Sequence, residues 1–217
     1  MQIKLLPYER RSLEVLEQKF ALEREIVDGF ALSLNILRRL YEQVAIGFKG
    51  KFKAGRVVMM GLINHTHHLL AGGLQALEAG NGAVWSACVR GLMETVGACV
   101  LISEQPAKAP NFLQEVKSGK LRSAAGREDP GLTGDIKRLD QIVHPVSGAI
   151  YAGFKIVDTK ERTTQIRFGL CLPTSHEGRE GVIVLANLAA LLEQKFAELV
   201  SREEVLSAGK LIMISTI

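Results

Sequence analysis

Two histidines in the middle of the chain, His65 and His68, have a spacing that could bind a metal ion. Residues three apart on a helix share a face, so both imidazoles could hold one ion if another helix supplied Glu94 or His144. His67 would then point elsewhere. The sequence contains no Glu-x-x-His motif of the helical di-iron type. Buried histidines held by hydrogen bonds are therefore the alternative.

Arg90 and Glu94 form a second candidate pair. They are four residues apart, so they face each other on one helix, and they interrupt the apolar segment AVWSACVRGLMETVGACVLI. Burying both charges is costly, and their mutual attraction offsets that cost only in part. The pair is therefore either a structural link to a neighbouring helix or the floor of a site.

Arg138 and His144 form a third candidate, with Asp140 between them as a supporting residue. An imidazole can move a proton while a guanidinium stabilises the charge that builds on a phosphate, which would cleave RNA without metal. Six residues apart on one continuous helix, the two side chains would not face each other. They converge if the helix ends before His144, as Pro145 favours, or if a second subunit supplies a partner.

The segment from Arg138 to His144 resembles the Arg-x(4–6)-His motif of the HEPN superfamily. Together, VRGLMETVGACVLI and LDQIVHP are also similar to a group of uncharacterised bacterial helical proteins. The resemblance covers about a quarter of the chain. It implies a small helical protein, often dimeric, with endoribonuclease activity of toxin or defence type. Arg138 and His144 would be the catalytic pair, and Arg90 and Glu94 an interior pair.

A short basic segment could guide RNA to such a site. Basic residues that alternate with aromatic ones can hold a phosphate backbone and stack a base. The alternative is an ordinary solvated turn between two helices. The basic residues are Lys49, Lys51, Lys53 and Arg56, and Phe48 and Phe52 lie among them.

The elements that position these residues are predicted to be mainly helical. Apolar residues from Leu13 to Phe48 recur every three or four positions, which predicts one long helix over 7–48 or two nearly collinear helices broken near Asp28–Gly29. Further apolar and capping patterns predict helices over 56–79, 81–104, 111–118, 133–143 and 177–204. Alternating side chains predict a β-hairpin over 150–172. We expect an exposed connection over 117–127, and a tail (211–217) that pairs with the hairpin or with Gln2–Leu6.

Composition bounds the class of protein. We expect one domain over residues 1–217, a bundle of four or five helices with a small inserted β-hairpin. The long apolar stripe favours a homodimer. The net charge of +4 permits RNA as a partner without requiring it. Three cysteines, an odd number, favour a reducing cytoplasm.

Val57–Leu77 is long enough to span a bilayer, but its three histidines and one asparagine would be costly there, so we expect no membrane span. Nucleotide-cofactor motifs are absent from the sequence, so no cofactor is expected. Three functions stay open. They are a HEPN-like ribonuclease, a non-enzymatic interaction or regulatory protein, and a helical metalloprotein that uses His65 and His68.

Overall fold

The structure, a computed structural model, describes residues 5–46, 51–114, 116–132, 154–158, 163–166 and 175–213. It is mainly α-helical with a small antiparallel β element, which confirms the predicted fold class. The helices are α1 (Pro7–Phe20), α2 (Arg24–Ala45), α3 (Ala54–Ala79), α4 (Gly82–Glu104), a 3-10 helix (Pro106–Leu113), α5 (Ser118–Glu128), α6 (Ser175–Val200) and α7 (Glu203–Leu206). The strands are β1 (Lys51–Lys53), β2 (Phe154–Asp158), β3 (Thr163–Ile166) and β4 (Leu211–Met213).

The antiparallel pair α3 and α4 lies at the centre, where two long apolar segments of the sequence predicted the helices 56–79 and 81–104. α6 packs on both helices, α2 packs on α3 and α6, α1 on α3, and α5 on α4. The junction between the central helices has a local cause. Gly80 adopts the left-handed conformation that ends α3, and the Asn81 side chain accepts a hydrogen bond from the N–H of Val84 at 3.1 Å to begin α4.

The N-terminal stripe forms two helices, and the predicted single helix over 7–48 was wrong. The break lies at Ala21, which adopts a φ of 48°, while Asp28 and Gly29 lie inside α2. A left-handed alanine costs about 1–2 kcal/mol, which the surrounding packing must offset. Because the buried residues Phe20 and Val27 are seven positions apart, the spacing of three and four continues across the break and hides the interruption.

The chain after α4 also differs from prediction. The 3-10 helix replaces the expected helix over 111–118, and the expected exposed connection is α5, which packs on α4. A Cβ at Gly97 would overlap the backbone carbonyl of Leu121, so glycine permits this close approach. Ala124 and Ala125 are fully buried there. Small residues bury little apolar area, which explains why the sequence pattern missed α5. The helix predicted over 133–143 lies outside the described residues.

The strands form two small antiparallel pairs. β2 pairs with β3 inside the predicted hairpin segment. β4 pairs with β1, with Phe52 opposite Ile212, so the expected pairing of the tail with the hairpin or with Gln2–Leu6 was wrong. The cause is tertiary: the N–H of Gly55 donates to the carbonyl of Ala208 at 2.9 Å, which brings the end of the chain beside the start of α3.

Within the described part of the chain, one helix, α4, meets the length and hydropathy needed to cross a membrane. In its most apolar window, 67% of the residues are buried inside the fold. A buried core helix meets the same two criteria.

Candidate acid–base site

A fully buried carboxylate, Glu9, joins three helices. Its Oε1 lies 2.6 Å from Nε2 of His67 on α3, and Nη2 of Arg38 on α2 lies 3.1 Å from Oε1 and 2.9 Å from Oε2. The backbone N–H of Leu6 donates to Oε2 at 2.6 Å. Glu9 itself is 0% exposed. We call Glu9, Arg38 and His67 the charged triad.

Local sequence explains the position of Glu9. Pro7 is the first residue of α1, a position where its missing N–H is not needed, and Glu9 is the third. A glutamate at the third position can reach back to the N–H that precedes the helix, as it does here to Leu6. The positive end of the helix dipole adds to this attraction.

The protonation of the triad follows from its contacts. Burial favours a higher pKa for Glu9, but hydrogen bonds from His67, from the N–H of Leu6 and from Arg38 outweigh it and lower that pKa. The carboxylate is therefore ionised near neutral pH and accepts a hydrogen bond from the Nε2–H of His67. Nη2 of Arg38 lies 3.3 Å from this same Nε2, so two donors share one carboxylate. Nδ1 of His67 has no hydrogen-bond partner among the described residues.

A cavity of about 230 Å³ adjoins the triad. Arg38 and His67 form part of its wall, and the remaining wall is contributed by Leu6, Tyr8, Leu37, Tyr41, Ile63, Asn64 and His68. Burial, together with the negative charge of Glu9, raises the pKa of Tyr8 against the opposing effect of Arg38. The Tyr8 hydroxyl therefore keeps its proton at neutral pH and can donate a hydrogen bond to an anion.

The structure reverses the expected roles of the three histidines. His65 and His68 are exposed, whereas His67, which the sequence placed away from any site, holds the buried carboxylate. Across the described ranges, no three His, Cys, Asp or Glu side chains come together as a set of metal ligands. His68 shares the cavity with His67, and the two ring centroids are 6.2 Å apart.

Arg90 and Glu94 face each other as their spacing predicted. Arg90 Nε lies 3.4 Å from Glu94 Oε1, and the two side chains are 17% and 19% exposed. The pair is therefore partly solvated, not deeply buried. Arg138, Asp140 and His144 lie outside the described residues.

The described residues of the predicted basic segment have different roles in the structure. Lys51 and Lys53 are exposed on β1, but Phe52 between them is only 4% exposed and cannot stack a base. Arg56 donates to the carbonyl oxygens of Val44 at 2.9 Å and Ile46 at 3.4 Å, so it closes the C-terminal end of α2. Lys49 lies outside the described residues.

Sequence reasoning missed Glu9 and Arg38. Arg38 is 29 residues from Glu9, and no local pattern connects positions on separate helices. The sequence held one indication that other helices supply polar partners here. The helix has no charged residue between Arg56 and Glu78 but carries three histidines, and buried imidazoles need hydrogen-bond partners.

Comparisons of the chain with protein-family models, with curated proteins and with solved structures find no match.

Proposed function

We propose that the protein is a metal-independent endoribonuclease and that His67 is its proton-transfer residue. The observation that supports this most is the 2.6 Å contact between Glu9 and His67 beside an open cavity. A carboxylate bonded to one imidazole nitrogen fixes the tautomer and stabilises the imidazolium that forms when the other nitrogen takes a proton. The activity is the one that the resemblance implies, with different residues at the reaction centre.

The proposed reaction needs no metal. Nδ1 of His67 takes the proton of a ribose 2′-hydroxyl, whose oxygen attacks the adjacent phosphorus. The bond from phosphorus to the 5′-oxygen breaks, and that oxygen takes a proton from His68 or from water. The products are a 2′,3′-cyclic phosphate and a 5′-hydroxyl. Arg38 and the Tyr8 hydroxyl stabilise the negative charge that develops on the phosphate oxygens.

A second reaction centre for the same activity consists of Arg138 and His144, with Asp140, Arg90 and Glu94 in support. The resemblance to HEPN proteins favours it, and so does the ion pair of Arg90 and Glu94 on a central helix. Under this alternative the charged triad only holds α1, α2 and α3 together. A cytoplasmic homodimer stays a prediction in either case.

The second candidate function is a non-enzymatic interaction or regulatory protein. The full hydrogen bonding of Glu9 favours it, because a carboxylate with donors on both oxygens can serve structure alone. A metalloprotein centred on His65 and His68 would need a third ligand from outside the described residues.

The test is cleavage of single-stranded RNA by the wild type and by His67→Gln, His144→Ala and His65→Ala, each with and without EDTA. The amide introduced in His67→Gln can still donate to Glu9 but cannot take a proton. We expect cleavage to survive EDTA, to fall about 100-fold or more in His67→Gln, and to stay near wild type in His65→Ala.

The remaining outcomes separate the alternatives. Loss of cleavage in folded His144→Ala, with His67→Gln unaffected, would move the reaction centre to His144. Loss on adding EDTA would favour a metal site. No cleavage by the folded wild type would leave the interaction protein as the better account.

A further inference from the structure

A second cavity, of about 510 Å³, lies where α4, the 3-10 helix and the start of α5 meet. Its described wall carries three lysines, three side-chain amides and one aromatic ring, and none of these described wall residues is acidic. The polar residues are Lys108, Lys117, Lys120, Gln105, Asn111 and Gln114, and the ring is Phe112. The chemistry of this wall is that of an anion site.

The positive charge of the three lysines is not neutralised within the described part of the chain, where none of them forms an ion pair. The nearest helices carry acids that already have partners. Glu104, at the end of α4, pairs with Arg127 at 2.8 Å, and Glu128, at the end of α5, pairs with Lys195 at 2.6 Å. A cleft lined by charges of one sign attracts the opposite charge.

The N-terminal end of α5 adds to this attraction. The side chain of the N-cap residue, Lys117, does not cap the helix, which begins at Ser118 and runs for 11 residues. The N–H of Lys120 donates to the carbonyl of Lys117 at 2.9 Å, whereas the N–H groups of Ser118 and Gly119 have no partner among the described residues. Both residues are exposed, so a ligand can approach these two N–H groups. Uncapped N–H groups and the helix dipole both favour a phosphate at this position.

Phe112 supplies an aromatic surface in the same cavity. Phe112 packs against the hydrophobic core and is half-buried. Bases of any sequence can stack on such a surface. The amides of Gln105 and Asn111 are within the same wall and could bond the edge of a base or a sugar.

We propose that this cavity binds a nucleotide, with its phosphates on Lys108, Lys117, Lys120 and the start of α5, and its base on Phe112. The nucleotide is either free or part of a single RNA strand. As an RNA site it rests on the proposed ribonuclease function, since it would hold substrate. As a site for a free nucleotide it is independent of that function.

Binding can be measured by the fluorescence anisotropy of a labelled single-stranded RNA oligonucleotide, with ATP and pyrophosphate as competitors. The matched variants are Lys117→Gln/Lys120→Gln and Lys19→Gln/Lys210→Gln, which remove equal charge from exposed lysines inside and outside the cavity. We expect the first to weaken RNA binding about tenfold or more and to reduce the salt slope by about 1.4, at roughly 0.7 per phosphate contact. The second should stay within about twofold of wild type.

Two further arms identify the ligand. Phe112→Leu should weaken binding of RNA and ATP but leave pyrophosphate competition unchanged. Competition by ATP at a concentration similar to that of RNA nucleotides indicates a free nucleotide as ligand, and competition by RNA alone indicates a strand. Equal losses in the two lysine pairs would overturn the proposal, because net charge alone would explain the binding. Absence of binding to all three probes would overturn it too.

The experiments distinguish failure of the nucleotide site from failure of the proposed ribonuclease function. If Lys117→Gln/Lys120→Gln loses binding while the wild type cleaves no RNA, the nucleotide site stands and the ribonuclease fails. If that variant cleaves RNA with an unchanged KM and binds all probes normally, the ribonuclease stands and the nucleotide site fails.

Discussion

The charged triad and the Arg90–Glu94 pair are built in different ways. The charged triad joins residues from α1, α2 and α3, and its carboxylate is 0% exposed. The Arg90–Glu94 pair lies within α4, and both of its side chains stay partly exposed. The triad has contacts of 2.6–3.1 Å to one carboxylate, whereas Arg90 Nε and Glu94 Oε1 lie 3.4 Å apart.

This difference shows what burial of a charge requires. Removing a carboxylate from water costs several kcal/mol, and one neighbour on the same helix seldom offsets that cost. Glu9 can be buried because donors from α2, α3 and the backbone of Leu6 converge on it. Glu94, whose side chain is 19% exposed, is not fully removed from water. The long-range cluster should therefore be both more important for stability and more sensitive to pH.

The largest expected effect comes from neutralising the two glutamates without changing their shape. Glu9→Gln removes a buried charge that compensates Arg38, so we expect a loss of about 3 kcal/mol in the free energy of unfolding. Glu94→Gln, on the matched local pair, should cost less than about 1 kcal/mol. Urea unfolding followed by circular dichroism measures both. Equal losses in the two variants would remove the distinction between the clusters.

A second comparison, of backbone packing, uses one glycine on α4 and one on α3. In Gly97→Ala the new methyl group would overlap the carbonyl of Leu121, and the displacement of α5 should cost about 2 kcal/mol. The control is Gly61→Ala on α3, where a Cβ meets nothing within 4 Å. That change should stabilise the protein by about 0.8 kcal/mol, because alanine is the better helix former. Thermal melts of the two variants should shift in opposite directions, and a neutral Gly97→Ala would contradict the close approach of α5.

The smallest expected effect is the change with pH in the stability that the charged triad contributes. The pKa of Glu9 in the folded protein lies below its ordinary value of 4.5, so the unfolded chain binds the proton more readily. The stability that the carboxylate contributes is present above about pH 4.5 and is lost as the pH falls through the folded pKa. The difference in unfolding free energy between wild type and Glu9→Gln should therefore shrink from about pH 6 to about pH 3.5. A constant difference across that range would count against an ionised, hydrogen-bonded Glu9.

Several elements could be predicted because their signals are local. The apolar segments around His65 and Ala98 predicted α3 and α4, and the predicted bounds 56–79 and 81–104 left the break where Gly80 and Asn81 form the turn. Other elements could not be predicted this way. Ala21 is an ordinary helix former, yet it is left-handed at the end of α1, where the N–H groups of Ala21 and Leu22 donate to the carbonyl of Glu17. α5 buries small residues whose pattern is weak.

The candidate residues likewise include a contact that local spacing predicted and a contact that it did not. The spacing of Arg90 and Glu94 was sufficient to predict their contact, because a helix brings residues four apart together. The sequence could not show which histidine contacts a buried carboxylate, because His65, His67 and His68 differ only in the side chains that other helices place beside them. The mainly helical fold was therefore determined by the sequence through short-range periodicity. The pairing of His67 with Glu9 and Arg38 was decided by tertiary structure, because a buried charge is stable only where distant donors converge on it.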